Sequence, residues 1–237
     1  MTINQQHNAS VKEKFDDTNA YVQGNSTIKT RQILVRQLLD KEAYRSVLDL
    51  GCGDGSIGVG LIHRDDQQLT LMDLSENMIE RASQNASRSG ITGVTTFVDD
   101  ACTFRSGEEY DVVVCLGVLA HVPSIQQVIN TISAHVKPGG HALIQFTEAN
   151  SLQGRIIYSL FSKASEQYSV NRTGIKSILP MIQSSGLTLI KSKRYSESAL
   201  GFGRLGFNTA VKFKLFSSRL GIVSKLFSGS LLLLKKA

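Results

Sequence analysis

Five glycines fall within the fifteen residues VLDLGCGDGSIGVGL, Val47 to Leu61, directly behind a run of β-branched and aliphatic side chains. Gly51, Gly53 and Gly55 follow that run at once, where missing β-carbons let backbone approach a ligand closely. Asp49 stands just ahead of them, and Asp73 ends the next apolar run, 22 residues after Gly51. A carboxylate in that place can accept hydrogen bonds from both hydroxyls of a ribose, each worth about 1.5–3 kcal/mol when desolvated. Asp99, Asp100 and Ala101 close a third run. Together these positions describe a pocket for an adenosine compound. A phosphate-cradling loop would need GxxxxGK[ST], and no lysine follows these glycines, so hydrolysis of ATP or GTP is not expected. The dinucleotide fingerprint GxGxxG would need glycine where Ser56 stands.

Such residues need a frame. Strand-length apolar runs alternate with longer segments of helical period, the pattern of an α/β fold with a parallel sheet and helices on both faces. The strand candidates are SVLDL (46–50), LTLMDL (69–74), VTTFV (94–98), YDVVVCLG (110–117), GHALIQFT (140–147) and LTLIKSK (187–193). Helices are expected over about 56–63, 75–89, 124–136 and 173–186, the second opened by Ser75 as an N-cap with Met78 in place of the Glu or Gln of a capping box. KPGG is expected to end the third. Residues 1–45, with the helix IKTRQILVRQLL, read as an N-terminal helical cap, and 46–237 as the α/β domain. EANSLQGRIIYSLFSKASEQYSVNR reads as a polar connection bearing aromatics. SLLLLKKA has the length and composition of a final strand, which makes about 201–229 an insertion before it.

With 237 residues, 41% of them hydrophobic and 19% charged, the chain suffices for one full-sized domain. Cys52, Cys102 and Cys115 lie far apart in neither a disulfide framework nor a zinc spacing, and no metal site is expected. The amino-terminal residues show no signal or transit pattern, and no run approaches the ~20 apolar residues that span a bilayer. The cytoplasm is the expected compartment. The net charge of +6 is localised: after Glu197 there are seven cations and no acid. Basicity is therefore a property of the tail.

VLDLGCGDG, LMDLSENMIERA, FVDDA, YDVVVCLGVLAHV and VKPGG, in this order and at these separations, resemble the successive motifs of class I S-adenosylmethionine-dependent methyltransferases that modify small molecules. The likeness covers about residues 45–147. It implies a Rossmann-like seven-stranded sheet of order 3-2-1-4-5-7-6 with only strand 7 antiparallel, and SLLLLKKA as that strand. It also implies S-adenosyl-L-methionine as cofactor. Carried over by position, Asp49, Gly51, Cys52 and Gly53 would line its methionine end, Asp73 would hold the ribose, Leu74 and Met78 would flank the adenine, and Asp100 with Ala101 would meet the adenine edge. Backbone around Cys115 and Leu116 would face the sulfonium; Tyr21 and Arg31 are candidate lid and carboxylate contacts. His121 could take the proton of a hydroxyl acceptor, the alternative being a packing residue beneath the cofactor.

The implied activity is methyl transfer to a small metabolite, foremost O-methylation of a hydroxyl or carboxylate in a biosynthetic pathway. N-methylation, an acceptor linked to lipid or glycan at a membrane surface, and a catalytically idle cofactor-binding partner are the alternatives. CLGVLAHVP and SKASEQY also locally resemble magnesium-protoporphyrin O-methyltransferases. Residues 201–229 mix Leu, Phe, Val and Ile with cations, which predicts one or two amphipathic basic helices. Three roles stay open for them: a solvated basic face, a lid bringing Phe202, Phe207 and Phe213 over an apolar substrate, or a peripheral membrane contact. No recognised nucleic-acid module accompanies the charge.

Overall fold

The computed structural model describes residues 3–16, 26–161, 171–198 and 206–237. Tyr21, Phe202 and the SKASEQY segment lie outside the described residues.

Seven apolar runs become strands: β1 Ser46–Leu50, β2 Gln68–Asp73, β3 Val94–Val98, β4 Tyr110–Leu116, β5 Val136–Thr147, β6 Leu187–Tyr195 and β7 Gly229–Lys236. They pair in the order β3-β2-β1-β4-β5-β7-β6. β7 runs antiparallel to both β5 and β6, and the other pairings are parallel. The central strands lack polar alternation because both of their faces are covered. Along β4, Val113 and Cys115 enter one core layer, Val112 and Val114 the other. The four leucines of β7 divide likewise, Leu232 and Leu234 against Leu231 and Leu233. At the β3 edge the pattern changes, and Thr95 and Thr96 are exposed.

Around the sheet stand α1 Ile3–Asp16, α2 Ser26–Leu39, α3 Ser56–Val59, α4 Glu76–Arg88, α5 Ile125–His135, α6 Leu152–Phe161, α7 Ile175–Ser184 and α8 Phe207–Ser217, followed by a 3-10 segment Gly221–Leu226. Ile129 and Ile132 of α5 and Ile178 and Ile182 of α7 fill one layer; Leu34, Val35, Leu38 and Leu39 of α2 fill the other. Among the described residues no helix is long and apolar enough to cross a membrane.

Three local expectations are revised. β5 begins at Val136 instead of Gly140, because Val136 already pairs with Tyr110 and a register shift then absorbs the KPGG turn before His141 meets Val112. Lys137 secures that irregularity through Asp111 Oδ1 at 2.8 Å. The helix expected over 56–63 is a single turn, α3, whose Gly58 lies so close to β1 and β2 that a β-carbon there would sit 2.9 Å from Asp49 Oδ2 and 3.0 Å from Leu69 Cδ1. Finally, the connection after Thr147 contains α6.

Candidate functional site

The strand order reverses between β1 and its neighbours β2 and β4, and open α/β sheets bind ligands beyond the carboxyl ends of strands at such a point. The loop after β1 is held there by its backbone. Gly51 N and Cys52 N both donate to Met72 O, at 2.7 and 2.9 Å, which moors the loop to the end of β2. Gly51, Gly53 and Gly55 have φ of +75°, +54° and +74°, a left-handed conformation that disfavours any side chain. At Gly51 a β-carbon would also collide with Val118 Cγ2, whereas at Gly53 it would meet nothing within 4 Å. The first glycine lets two loops touch; the second leaves open space.

Asp73 links this loop to the next. Its Oδ2 accepts from Gly53 N at 2.8 Å and its Oδ1 from Ser75 N at 3.0 Å. Both oxygens are thereby oriented in the wall of the cavity that Asp73 lines. Ser75 caps α4 by accepting from Met78 N at 3.2 Å, and this half-box places Leu74 and Met78 along the same wall. Asp100 and Ala101 stand beyond β3. Asp100 Oδ1 accepts from Cys102 N at 2.8 Å and Oδ2 from the side chain of Asn8 at 2.7 Å.

That last bond brings α1 to the cavity, where Asn8 and Val11 join its lining and His7 Nε2 donates to His121 O at 3.0 Å. From α2 come Ile28 and Arg31. Arg31 Nε donates to Tyr195 Oη at 3.1 Å, and Nη2 pairs with Glu197 Oε1 at 3.1 Å. Glu197 is further fixed by Gln145 Nε2 at 2.7 Å and Thr147 Oγ1 at 2.6 Å. Since the amide of Gln145 donates to a carboxylate, its Oε1 faces away, buried with no partner among the described residues. Lys214 of α8 braces this wall from behind, donating to Ser26 Oγ and Thr27 Oγ1 at 3.1 and 2.6 Å. Burial lowers its ammonium to about 8, with Glu197 pulling the other way.

The cavity therefore brings together Gly51, Cys52, Gly53, Asp73, Leu74, Met78, Asp100, Ala101, Leu116, Arg31 and His121 of the expected residues. Asp49 and Cys115 stand outside its wall. Cys115 is fully buried in the core beneath Leu116, and burial raises its thiol far above the usual range. Asp49, 2% exposed, lies under the glycine loop with Oδ2 accepting from Gly58 N at 2.8 Å. It shapes the loop and does not line the cavity. Asn8, Val11, Ile28, Asp54, Gly117, Val118 and Val122 are lining residues that the sequence reading did not name. Gly117 and Val118 belong because they follow directly on the carboxyl end of β4 at Leu116; nothing in the weakly patterned α1 points to Asn8. Among the described residues no group of three or more His, Cys, Asp or Glu could hold a metal. His135 is a packing residue, stacked on Phe104 at 5.0 Å between centroids.

Burial pushes the Asp49 carboxyl from 3.8 up to about 7, with the Gly58 N–H opposing and Asp73 and Asp54 adding to the rise. The folded chain thus retains the Asp49 proton to higher pH than the unfolded chain. The stability tied to that proton is fully present below about pH 4 and is lost as pH rises through about 7. Asp49→Asn is expected to remove a decline on the order of 4 kcal/mol across that window. Urea melts at several pH values measure it; parallel profiles for variant and wild type would contradict it.

Residues 47–140 match the methyltransferase domain family. The seven-stranded sheet with β7 antiparallel has the strand order that the resemblance to class I S-adenosylmethionine-dependent methyltransferases implies. Among particular relatives, the chain is 37% identical over 98 residues to a ubiquinone biosynthesis O-methyltransferase of Rickettsia felis, a match covering 41% of this chain and 39% of the relative. The likeness therefore spans about two-fifths of that protein's length. Over nearly the whole chain, the fold is similar to the N-methyltransferase NodS of Bradyrhizobium japonicum, solved in complex with S-adenosyl-L-homocysteine, with a TM-score of 0.66, 16% identity and coverage of 97% and 98%. It is similar also to the magnesium protoporphyrin IX methyltransferase of Synechocystis with the same molecule bound, with a TM-score of 0.66, 14% identity and coverage of 98% and 100%.

Proposed function

We propose that the chain transfers a methyl group from S-adenosyl-L-methionine to a small-molecule acceptor, foremost to the oxygen of a hydroxyl or carboxylate in a biosynthetic pathway. The observation that carries this reading is Asp73, at the end of β2, with both carboxylate oxygens oriented by backbone N–H groups in the wall of the cavity beside Gly53. That arrangement fits the two hydroxyls of a ribose. Leu74, Met78 and Ala101 supply apolar surface for an adenine, and Asp100 an acceptor at its edge. Gly51, Cys52 and Gly53 offer close backbone for the amino-acid end, with Arg31 as the cation for its carboxylate. Asp49 serves from beneath, through Gly58.

When bound, the cofactor supplies a methyl group already activated on a sulfonium sulfur. The chain's own residues then have to orient the acceptor and exclude water. The α1 and α2 walls, with Asn8, Val11 and Ile28, cover the cavity and form the exclusion surface of this cap, residues 1–45. His121 is the group assigned to take the acceptor's proton. A second reading, in which the acceptor is linked to lipid at a membrane surface, is favoured by the acid-free segment after Glu197. Calorimetry with S-adenosyl-L-homocysteine is expected to give micromolar affinity for the wild-type chain, and absence of binding would overturn the assignment of the cavity.

A further inference from the structure

The segment between β6 and β7 leaves apolar side chains in solvent: Ile222 is 82% exposed, Phe216 60%, Val223 51% and Leu226 49%. Folding uses the other side of these elements. α8 buries Ala210, Val211, Lys214 and Ser217, so Lys212 and Phe216 occupy its opposite face. In the 3-10 segment Ser224 turns inward and Ile222, Val223, Lys225 and Leu226 stay out. The two elements are fastened together, since Phe213 meets Phe227 edge-on at 6.4 Å, and Arg219 N to Phe216 O, then Val223 N to Leu220 O, carry the chain directly from one to the other.

Cations accompany these side chains in the segment and on the neighbouring strand. Lys212, Arg219 and Lys225 are exposed, and β6 adds Lys191 and Lys193, which pair in register with Leu233 and Leu231 and so share the sheet face covered by α2 and α8. No acidic residue follows Glu197, and Glu197 is itself engaged by Arg31. Among the described residues none of these five cations forms an ion pair.

We propose that this face docks on a bilayer rich in anionic lipid, with Ile222, Val223, Leu226 and Phe216 entering the interface and the cations meeting headgroup phosphates. The proposal deepens the lipid-linked reading and rests on it only for its purpose. Its placement suits that purpose: the 3-10 segment leads into Gly229, which pairs with Thr147 at the carboxyl edge of the sheet where the glycine loop also lies. Lys214 ties α8 to the first turn of α2, whose Ile28 and Arg31 line the cavity. Nucleic acid is the less suitable partner, because the patch centres on aliphatic side chains and not on stacking aromatics or base-reading polar groups.

The test is co-sedimentation of the full chain with vesicles of phosphatidylglycerol mixed with phosphatidylcholine, against phosphatidylcholine alone. Partition onto the anionic vesicles is expected to be at least about 10-fold stronger and to fall with salt. The double variant I222E/L226E is expected to lose about 10-fold or more of it while S-adenosyl-L-homocysteine binding stays at the wild-type level. Should that variant fail to fold, K212E/K225E, at exposed positions, carries the same expectation. Equal partition onto both vesicle types, no partition, undiminished partition of a folded variant, or association with RNA or duplex DNA in place of vesicles would each overturn the proposal. Vesicle binding by a wild-type chain that ignores S-adenosyl-L-homocysteine would leave the docking intact and remove the methyltransferase assignment.

Discussion

Replacing Asp73 with alanine is expected to weaken S-adenosyl-L-homocysteine binding by about 10²–10⁴-fold, because two hydrogen bonds to a charged acceptor are lost at about 1.5–3 kcal/mol each. The structure makes the loss steep for a second reason. The same carboxylate orders Gly53 and Ser75, so its removal also loosens the glycine loop and the cap of α4. Asp73→Asn separates the two contributions: its single carbonyl oxygen can replace only one of the two acceptors, and an intermediate loss of about 10-fold is expected. Calorimetry on the three proteins gives the ranking. An alanine variant within about threefold of wild type would show that the ribose is not held here.

His121→Ala is expected to lower kcat by about 10²–10⁴-fold with a hydroxyl acceptor, the usual contribution of a positioned general base. Its backbone is fixed on both sides, by its own N–H to Val118 O at 2.8 Å and by His7 donating to its carbonyl at 3.0 Å, so truncation should leave the loop in place. Cofactor affinity should accordingly change by less than about threefold, and the loss should appear in kcat. A near-wild-type rate would reassign His121 to packing. A fall in affinity equal to the fall in rate would mean that it supports the cofactor instead.

The sheet was legible because its signals are local. Continuous apolar runs such as VVVCL and LLLL are what burial on both faces demands, and GxGxG after the first run marks a turn that needs positive φ three times. Asp73, Leu74, Met78 and Asp100 followed because strand ends place them at one edge. What escaped depends on contacts distant in sequence. The side chain of Asn8 reaches Asp100 from 92 residues away, and Arg31 reaches Glu197 from 166. Asp49 looks like a ligand contact in a motif, yet its carboxylate is spent on Gly58, two residues into α3. KPGG misled for a related reason: the helix does stop there, but pairing with Tyr110 has already begun one residue earlier.

The tail illustrates how burial redistributes a charge pattern. Its cations predicted amphipathic basic helices, and α8 forms, but Lys214 turns inward to the first turn of α2 with Ala210, Val211 and Ser217 around it. Phe213 meets Phe227, and neither Phe207 nor Phe213 lines the cavity. A lid over the acceptor therefore gains no support from the described part of this segment, whereas the outward face retains both the apolar side chains and most of the charge.

The most direct measurement is transfer of a labelled methyl group from S-adenosyl-L-methionine, using the full chain and fractionated small-molecule extracts as acceptors, beside the Asp73→Ala and His121→Ala variants. Label entering an organic-extractable small molecule with the wild type, reduced by at least about 10²-fold in both variants, is the expected result. No transfer to any fraction by a chain that binds S-adenosyl-L-homocysteine would contradict it and leave a cofactor-binding protein without this catalytic activity.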